Sequence, residues 1–252
     1  MGRGREIAAR YAPPLVSFVV GMAVWELVGR HTDAAFLVPL SETLDRLVEL
    51  IRSGELLRQT LSSLAIFAVG FTLGVLVGAP AGMLLARVAV LRRALDVYIM
   101  IAYATPLVAL IPFILSLMGF GFAPKVLVVF LFAVFPVLYN TVEGARSLKP
   151  ELVEVAHSFR SSEWALWREV MVPYTLPFTM TGVRQAIGRA LVGMIAAEFF
   201  LSSTGLGQLI MNASQNFDTA GVLAAILVIM ALGLCLMRIG RAIEQYFARW
   251  RV

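Results

Sequence analysis

The sequence predicts an all-α, polytopic membrane protein of about six transmembrane helices, and three observations predict it. Of 252 residues, 60% are hydrophobic and only 15% charged, with a mean hydropathy of +0.84. That leaves too little polar surface to cover a water-soluble domain. The apolar residues also gather into stretches at 14–30, 61–86, 97–118, 126–142, 177–201 and 221–240, each near the roughly 20 residues a helix needs to cross a bilayer. Finally, the basic residues between these stretches are distributed unevenly.

If the N-terminus is cytoplasmic, only Arg30, Arg46, Arg52, Arg58 and Lys125 of the 21 basic residues face outward. The other sixteen, Arg184, Arg189, Arg249 and Arg251 among them, face inward. The positive-inside rule therefore predicts N-in and C-in, which needs an even number of spans. The net charge of +5 is explained by orientation in a lipid bilayer, and nucleic acid is not an expected partner.

Taken in order, the first stretch follows Arg3, Arg5 and Arg10 and resembles the start of a signal peptide. Trp25-Glu26 stands where a small-residue cleavage site would be expected, so an uncleaved anchor is predicted, with Glu26 at the interface. From 41 to 52 the apolar residues Leu44, Leu47, Val48 and Ile51 recur at helical spacing among charges, predicting an amphipathic helix on the membrane surface. In the second stretch Gly70, Gly74, Gly78 and Gly82 repeat every fourth residue, which puts them on one helix face for close packing. Gly182, Ala186 and Ala190 make a shorter version in the fifth. Pro106 and Pro112 interrupt the backbone hydrogen bonds of the third stretch, and Pro136 those of the fourth. Irregular backbone at membrane depth is tolerated where it lines a cavity, so these prolines are candidates for a solute path, with plain kinks as the other reading.

Glu198 is the ionisable residue that stands out, since charge within a span is costly and faces a pathway or a partner. Two readings are open for it: a path or gate residue, or an outer-interface residue that orders the turn from Ser202 to Gly207. Arg184, fourteen residues earlier, shares its face but lies roughly 21 Å away along the axis, and snorkelling toward the cytoplasmic surface is enough to explain it.

Enzyme chemistry finds little support. A phosphate-binding loop needs Lys after Gly and before Ser or Thr, whereas the lysines here stand in Pro-Lys125-Val and Leu-Lys149-Pro. His31 and His157 fall on opposite sides of the membrane, which excludes a zinc-binding His-Glu-x-x-His pair, and no Gly-x-Ser-x-Gly elbow exists. Cys235 stands alone, so no disulfide framework or Cys-rich metal site can be built. No catalytic residue, metal site or cofactor is expected in this chain.

The segment 147–173, between the fourth and fifth spans, carries the strongest pattern. Leu152, Val155, Ala156 and Phe159 share one face of a short helix bearing Glu151, Glu154 and His157. Ser161 or Ser162 can cap a second short helix with Trp164 and Trp167, which Pro173 closes. Exposed apolar residues on a cytoplasmic loop suggest docking for a partner, against the alternative of a helix lying on the membrane.

This segment resembles the coupling loop of ATP-binding-cassette importer permeases, whose pattern is Glu-Ala-Ala, three residues, Gly, nine residues, then Ile-x-Leu-Pro. Glu154, Val155 and Ala156 match its first block, Val170, Val172 and Pro173 its last, and Arg160 stands at the Gly position. Across the chain, Phe36 to Glu42, Thr105 to Pro112 with Gly119-Phe-Gly121, Phe135 to Thr141 with Gly144, and Ala197-Glu198 with Ser203 to Gly207 resemble the nitrate, sulfonate and taurine group of these permeases.

The resemblance implies one permease domain over 1–252 in the bacterial inner membrane, working as a homodimer. Its partners would be two nucleotide-binding subunits, which hold ATP and Mg, and an extracytoplasmic solute-binding protein that delivers a small anion such as an oxyanion, sulfonate or carboxylate. Glu151, Glu154, Val155, Ala156, Phe159, Arg160, Trp164 and Pro173 would couple to the ATPase; Pro106, Pro112, Pro136 and Glu198 would line the path. A secondary transporter, the alternative, would usually show an internal repeat with paired broken helices, and none is visible.

Overall fold

The computed structural model describes residues 2–201 and 203–248. Ser202, Arg249 and Arg251, and the side chains of Arg3, Arg5 and Arg10, lie outside what it describes. Every regular element among the described residues is helical. In order they are α1 (Gly2–His31), α2 (Leu40–Arg52), α3 (Glu55–Arg87), α4 (Ala89–Ala104), a 3-10 turn (Leu107–Leu110), α5 (Ile111–Met118), α6 (Phe122–Arg146), α7 (Pro150–Ser158), α8 (Glu163–Leu166), a π-turn (Trp167–Met171), α9 (Val172–Leu201), α10 (Leu206–Gln215) and α11 (Thr219–Ala248).

Among the described residues, four stretches are long and apolar enough to cross a membrane: Ala12–His31, Glu55–Arg87, Phe122–Arg146 and Thr219–Phe247. The third apolar stretch is not the single helix expected from sequence, because Val90–Ala104 and Leu107–Met118 meet at 89° and make a fifth crossing only if taken together. The break has a local cause. Thr105 precedes Pro106, whose ring excludes the α conformation from its neighbour, and Thr105 is extended at ψ 131°. Pro112 falls in the first turn of α5, where its missing N–H breaks no bond, and α6 continues through Pro136. α9 is 30 residues long, but Arg184, Arg189 and Glu198 thin its apolar content. α10 was not anticipated at all.

The chain divides into two compact units. In the first, residues 1–59 with 209–229, the end of α1 is stapled to the start of α2. Trp25 Nε1 donates to the Val38 carbonyl at 3.1 Å, and the Glu26 carboxylate accepts from the Ser41 N–H and hydroxyl, each at 3.0 Å. Leu40, Thr43 and Leu50 are buried, while Leu44, Val48 and Ile51 form an exposed apolar stripe, the arrangement a helix on a membrane surface needs. Arg46 bridges Glu49 and Asp218, each at 2.8 Å, and these two acceptors hold its guanidinium above the ordinary arginine range. Asp218 also caps α11, accepting from the Gly221 N–H at 2.7 Å.

The second unit, residues 60–208 with 230–252, contains the main core. The glycine face of α3 lies on α6: a Cβ at Gly70, Gly74, Gly78 or Gly82 would come within 2.6–2.8 Å of Val129, Ala133, the Val134 carbonyl or the Leu138 carbonyl. Nothing larger than hydrogen fits there, so the two backbones pack in direct contact. α9 lies on α6 through Gly182, Ala186, Ala190 and Met194. This packing fixes depth along the bundle, with Gly182 opposite Pro136 and Gly193 opposite Phe132.

Candidate functional site

Three features of the second unit carry functional weight. The segment between α6 and α9 is clamped at its ends and exposed along its length. The Tyr174 hydroxyl donates to the Ser147 carbonyl at 2.8 Å, closing the base of the loop. The Arg87 guanidinium sits 5.4 Å above the Trp167 ring and 4.0 Å from the Glu163 carboxylate. Within α7 only Ala156 is buried, whereas Leu152, Val155, Phe159 (81% exposed) and Trp164 (65% exposed) face outward. Glu151 and Glu154 are exposed on the same helix.

The turn that ends α7 explains the family's glycine. Arg160 has φ +55°. Its N–H donates to the His157 carbonyl at 2.8 Å and the Ser161 N–H to the Ala156 carbonyl at 3.1 Å. This is a Schellman closure, which needs a left-handed residue where Gly is preferred, and Arg160 adopts that conformation against its Cβ. Ser162, not Ser161, then caps α8, accepting from the Ala165 N–H at 3.2 Å. Pro173 does not close the second short helix. The chain passes through the π-turn Trp167–Met171 directly into α9, and Pro173, the second residue of α9, sits where a missing N–H is tolerated after a register shift.

Near the other end of α9, Glu198 is fully buried at 0% exposure. Its carboxylate accepts from the Ser63 hydroxyl at 2.6 Å and from the Gly207 N–H at 2.8 Å, and the Ser63 oxygen accepts from the Leu206 N–H at 2.8 Å. Lys125, also buried, acts on it electrostatically. Gly205, at φ +110°, lies where a Cβ would collide with this carboxylate, and a Cβ at Gly207 would stand 2.7 Å from the Glu198 Cβ. The Ser-Thr-Gly-Leu-Gly run thus lets the backbone wrap the acid, and Glu198 orders the turn that follows it.

The third feature is a recess of about 300 Å³ at the α4–α5 bend, lined by Tyr103, Thr105, Pro106, Phe132, Phe135 and Arg189 among others. Pro106 lines it; Pro112, Pro136 and Glu198 do not. The Arg189 guanidinium donates to the Tyr103 hydroxyl at 2.7 Å and lies 4.6 Å from the centre of that ring, and Tyr103 stacks on Tyr139 at 5.5 Å. The positive-inside count placed Arg189 among the inner charges. Its neighbours Phe132 and Phe135 lie about midway along α6, and Arg189 itself lies about midway along α9 and is exposed. Arg184, by contrast, forms an ion pair with Glu244 at 2.7 Å. Neither Tyr103 nor the roles of Arg184 and Arg189 were legible beforehand.

No group of three or more His, Cys, Asp or Glu among the described residues could hold a metal ion. A family profile described as the binding-protein-dependent transport system inner membrane component matches residues 70–249. The chain belongs to this family. The permease is therefore a multi-pass inner-membrane transport component and not an enzyme. It is 34% identical to the riboflavin transport system permease protein RibX of Chloroflexus aurantiacus, over 86% of this chain and 81% of that one. A protein of Bacillus subtilis described as an aliphatic sulfonates transport permease, SsuC, is 31% identical over 91% of this chain and 84% of its own length. In fold, the permease resembles the inward-facing MetNI methionine ABC transporter, with a TM-score of 0.67, 18% identity, and coverage of 78% of this chain and 97% of that one.

Proposed function

We propose that the permease forms the solute path of an ATP-driven importer and that α7 transmits to it the motion of two ATP-hydrolysing subunits. The observation that carries this reading is the exposed apolar and acidic surface of α7 and α8, on a loop tied down at both ends. Val155, Phe159 and Trp164 supply the apolar contact, Glu151 and Glu154 its charged rim. Ala156 anchors the helix from behind, Arg160 turns it, and Pro173 starts the helix that receives the movement. ATP and Mg belong to the partner subunits.

The permease domain spans 1–252 and crosses the membrane six times with both ends inside, α9 being one crossing. Its charges favour this reading, because Arg184 has Glu244 and Glu198 has Ser63 and Gly207. Pro106 lines the path, while Pro112, Pro136 and Glu198 support its walls. A second copy completes the path, and an extracytoplasmic binding protein delivers the solute. The solute is a small anion such as an oxyanion, sulfonate or carboxylate, in keeping with the sulfonate relative.

Affinity purification of the tagged chain from its native membranes tests the assignment. Recovery of an ATPase subunit in equal amount is expected. Recovery without an ATPase, together with uptake driven by an ion gradient, would replace it with a secondary transporter.

A further inference from the structure

We infer that the recess at the α4–α5 bend is an anion-binding site for a solute with an apolar or aromatic body, with Arg189 as its recognising cation and Tyr103 as the residue that positions Arg189. This rests on the importer reading for its biological meaning, though not for its chemistry. Arg189 is the starting point. Among the described residues it makes no ion pair, and its partner Tyr103 is a phenol, which shares a hydrogen bond and a ring face but does not neutralise it. Two other arginines of α6 and α9 are engaged differently: Arg184 with Glu244, and Arg146, at the end of α6, with both Asp96 and Glu143. A charge midway along an apolar helix, without a carboxylate beside it, points to a functional partner.

The recess decides the kind of anion. Its volume of about 300 Å³ exceeds what a bare inorganic oxyanion would use, and its walls of Phe132, Phe135, Leu107, Val108 and Val192 offer a hydrated one no polar partners. They suit one charged head on an apolar body. The guanidinium fork can hold two oxygens of a sulfonate or carboxylate. The Tyr103 hydroxyl, accepting from Arg189, keeps its own proton to donate to a third. The recess lies at the 89° bend, with lining residues from both sides of it.

The test uses the full chain in phosphatidylcholine nanodiscs, with binding read by saturation-transfer NMR. Benzenesulfonate is the probe. Phenyl methyl sulfone is its neutral counterpart, and sulfate represents a head without a body. Benzenesulfonate is expected to bind about tenfold tighter than either, and Arg189→Gln to remove that preference, with part of it kept by Arg189→Lys. Tyr103→Phe should lower the preference for sulfonate over sulfone about threefold without changing sulfone binding. Equal binding of the neutral sulfone, sulfate binding as tight as benzenesulfonate, or an unchanged preference in folded Arg189→Gln would overturn the site. If Arg189→Gln does not yield a monodisperse protein, Arg189→Lys and Tyr103→Phe decide the question alone. Because no ATPase is present, failure here leaves the coupling assignment standing, and failure to recover an ATPase leaves this measurement intact.

Discussion

The coupling segment and the Glu198 turn invert the usual distribution of residues in opposite ways. In the first, Phe159 and Trp164 stand exposed on a loop; in the second, a carboxylate, a serine and a lysine are buried within the bundle. Hydrophobicity alone would class both as errors. What separates them is satisfaction. The Glu198 carboxylate, the Ser63 hydroxyl and the Leu206 and Gly207 N–H groups satisfy one another inside the chain. The apolar face of α7 has no such cover within the second unit, and exposed apolar surface of this kind marks an interaction site. One region holds the fold, and the other is the surface we propose for a partner.

The largest predicted effect tests the buried half of that contrast. Glu198→Ala strands the Ser63 hydroxyl and the Gly207 N–H in the interior, and should cost about 3–5 kcal/mol, seen as a large fall in melting temperature in detergent. A small change would mean that the turn holds itself. Gly70→Leu comes next. A side chain at the α3–α6 contact must displace Val129 or the helix, at about 1–3 kcal/mol by the same assay, whereas Gly21→Leu, with open space around it, should have little effect. On the exposed half, Ser162→Ala removes the cap of α8 and should loosen the segment by about 1 kcal/mol, measured as faster amide exchange from 163 to 171. Arg160→Gly should act in the other direction. Relief of the left-handed Cβ contact should stabilise the turn by about 1 kcal/mol and slow that exchange; faster exchange would show that the arginine side chain supports the turn.

Much of this architecture was readable from the chain alone, and the limits follow from range. The apolar stretches, the glycine repeat of α3 and the short helices of 147–173 are local patterns, and period and spacing reveal them. The bend at Pro106 is nearly local, since Thr105-Pro106 states the break but not its 89° angle. Glu198 stood out as a charge, yet Ser63, its partner, lies 135 residues away, and no spacing rule connects them. The contact of Arg189 with Tyr103 joins residues 86 apart, and spacing does not connect them either. α10 escaped because ten residues between two apolar stretches read as a loop. Pro173 was read as a stop because a π-turn that absorbs its missing N–H leaves no mark in composition.

The exposed face of α7 is the centre of the account, and the most direct test places it under load. Solute-stimulated ATP hydrolysis would be measured for the permease reconstituted with its ATPase subunit and binding protein, comparing wild type with Glu154→Ala and Phe159→Arg. The account predicts that the variants fold with unchanged melting temperatures and that stimulation is lost in Phe159→Arg and reduced in Glu154→Ala. Full stimulation in both would contradict it and leave α7 as a helix resting on the membrane surface.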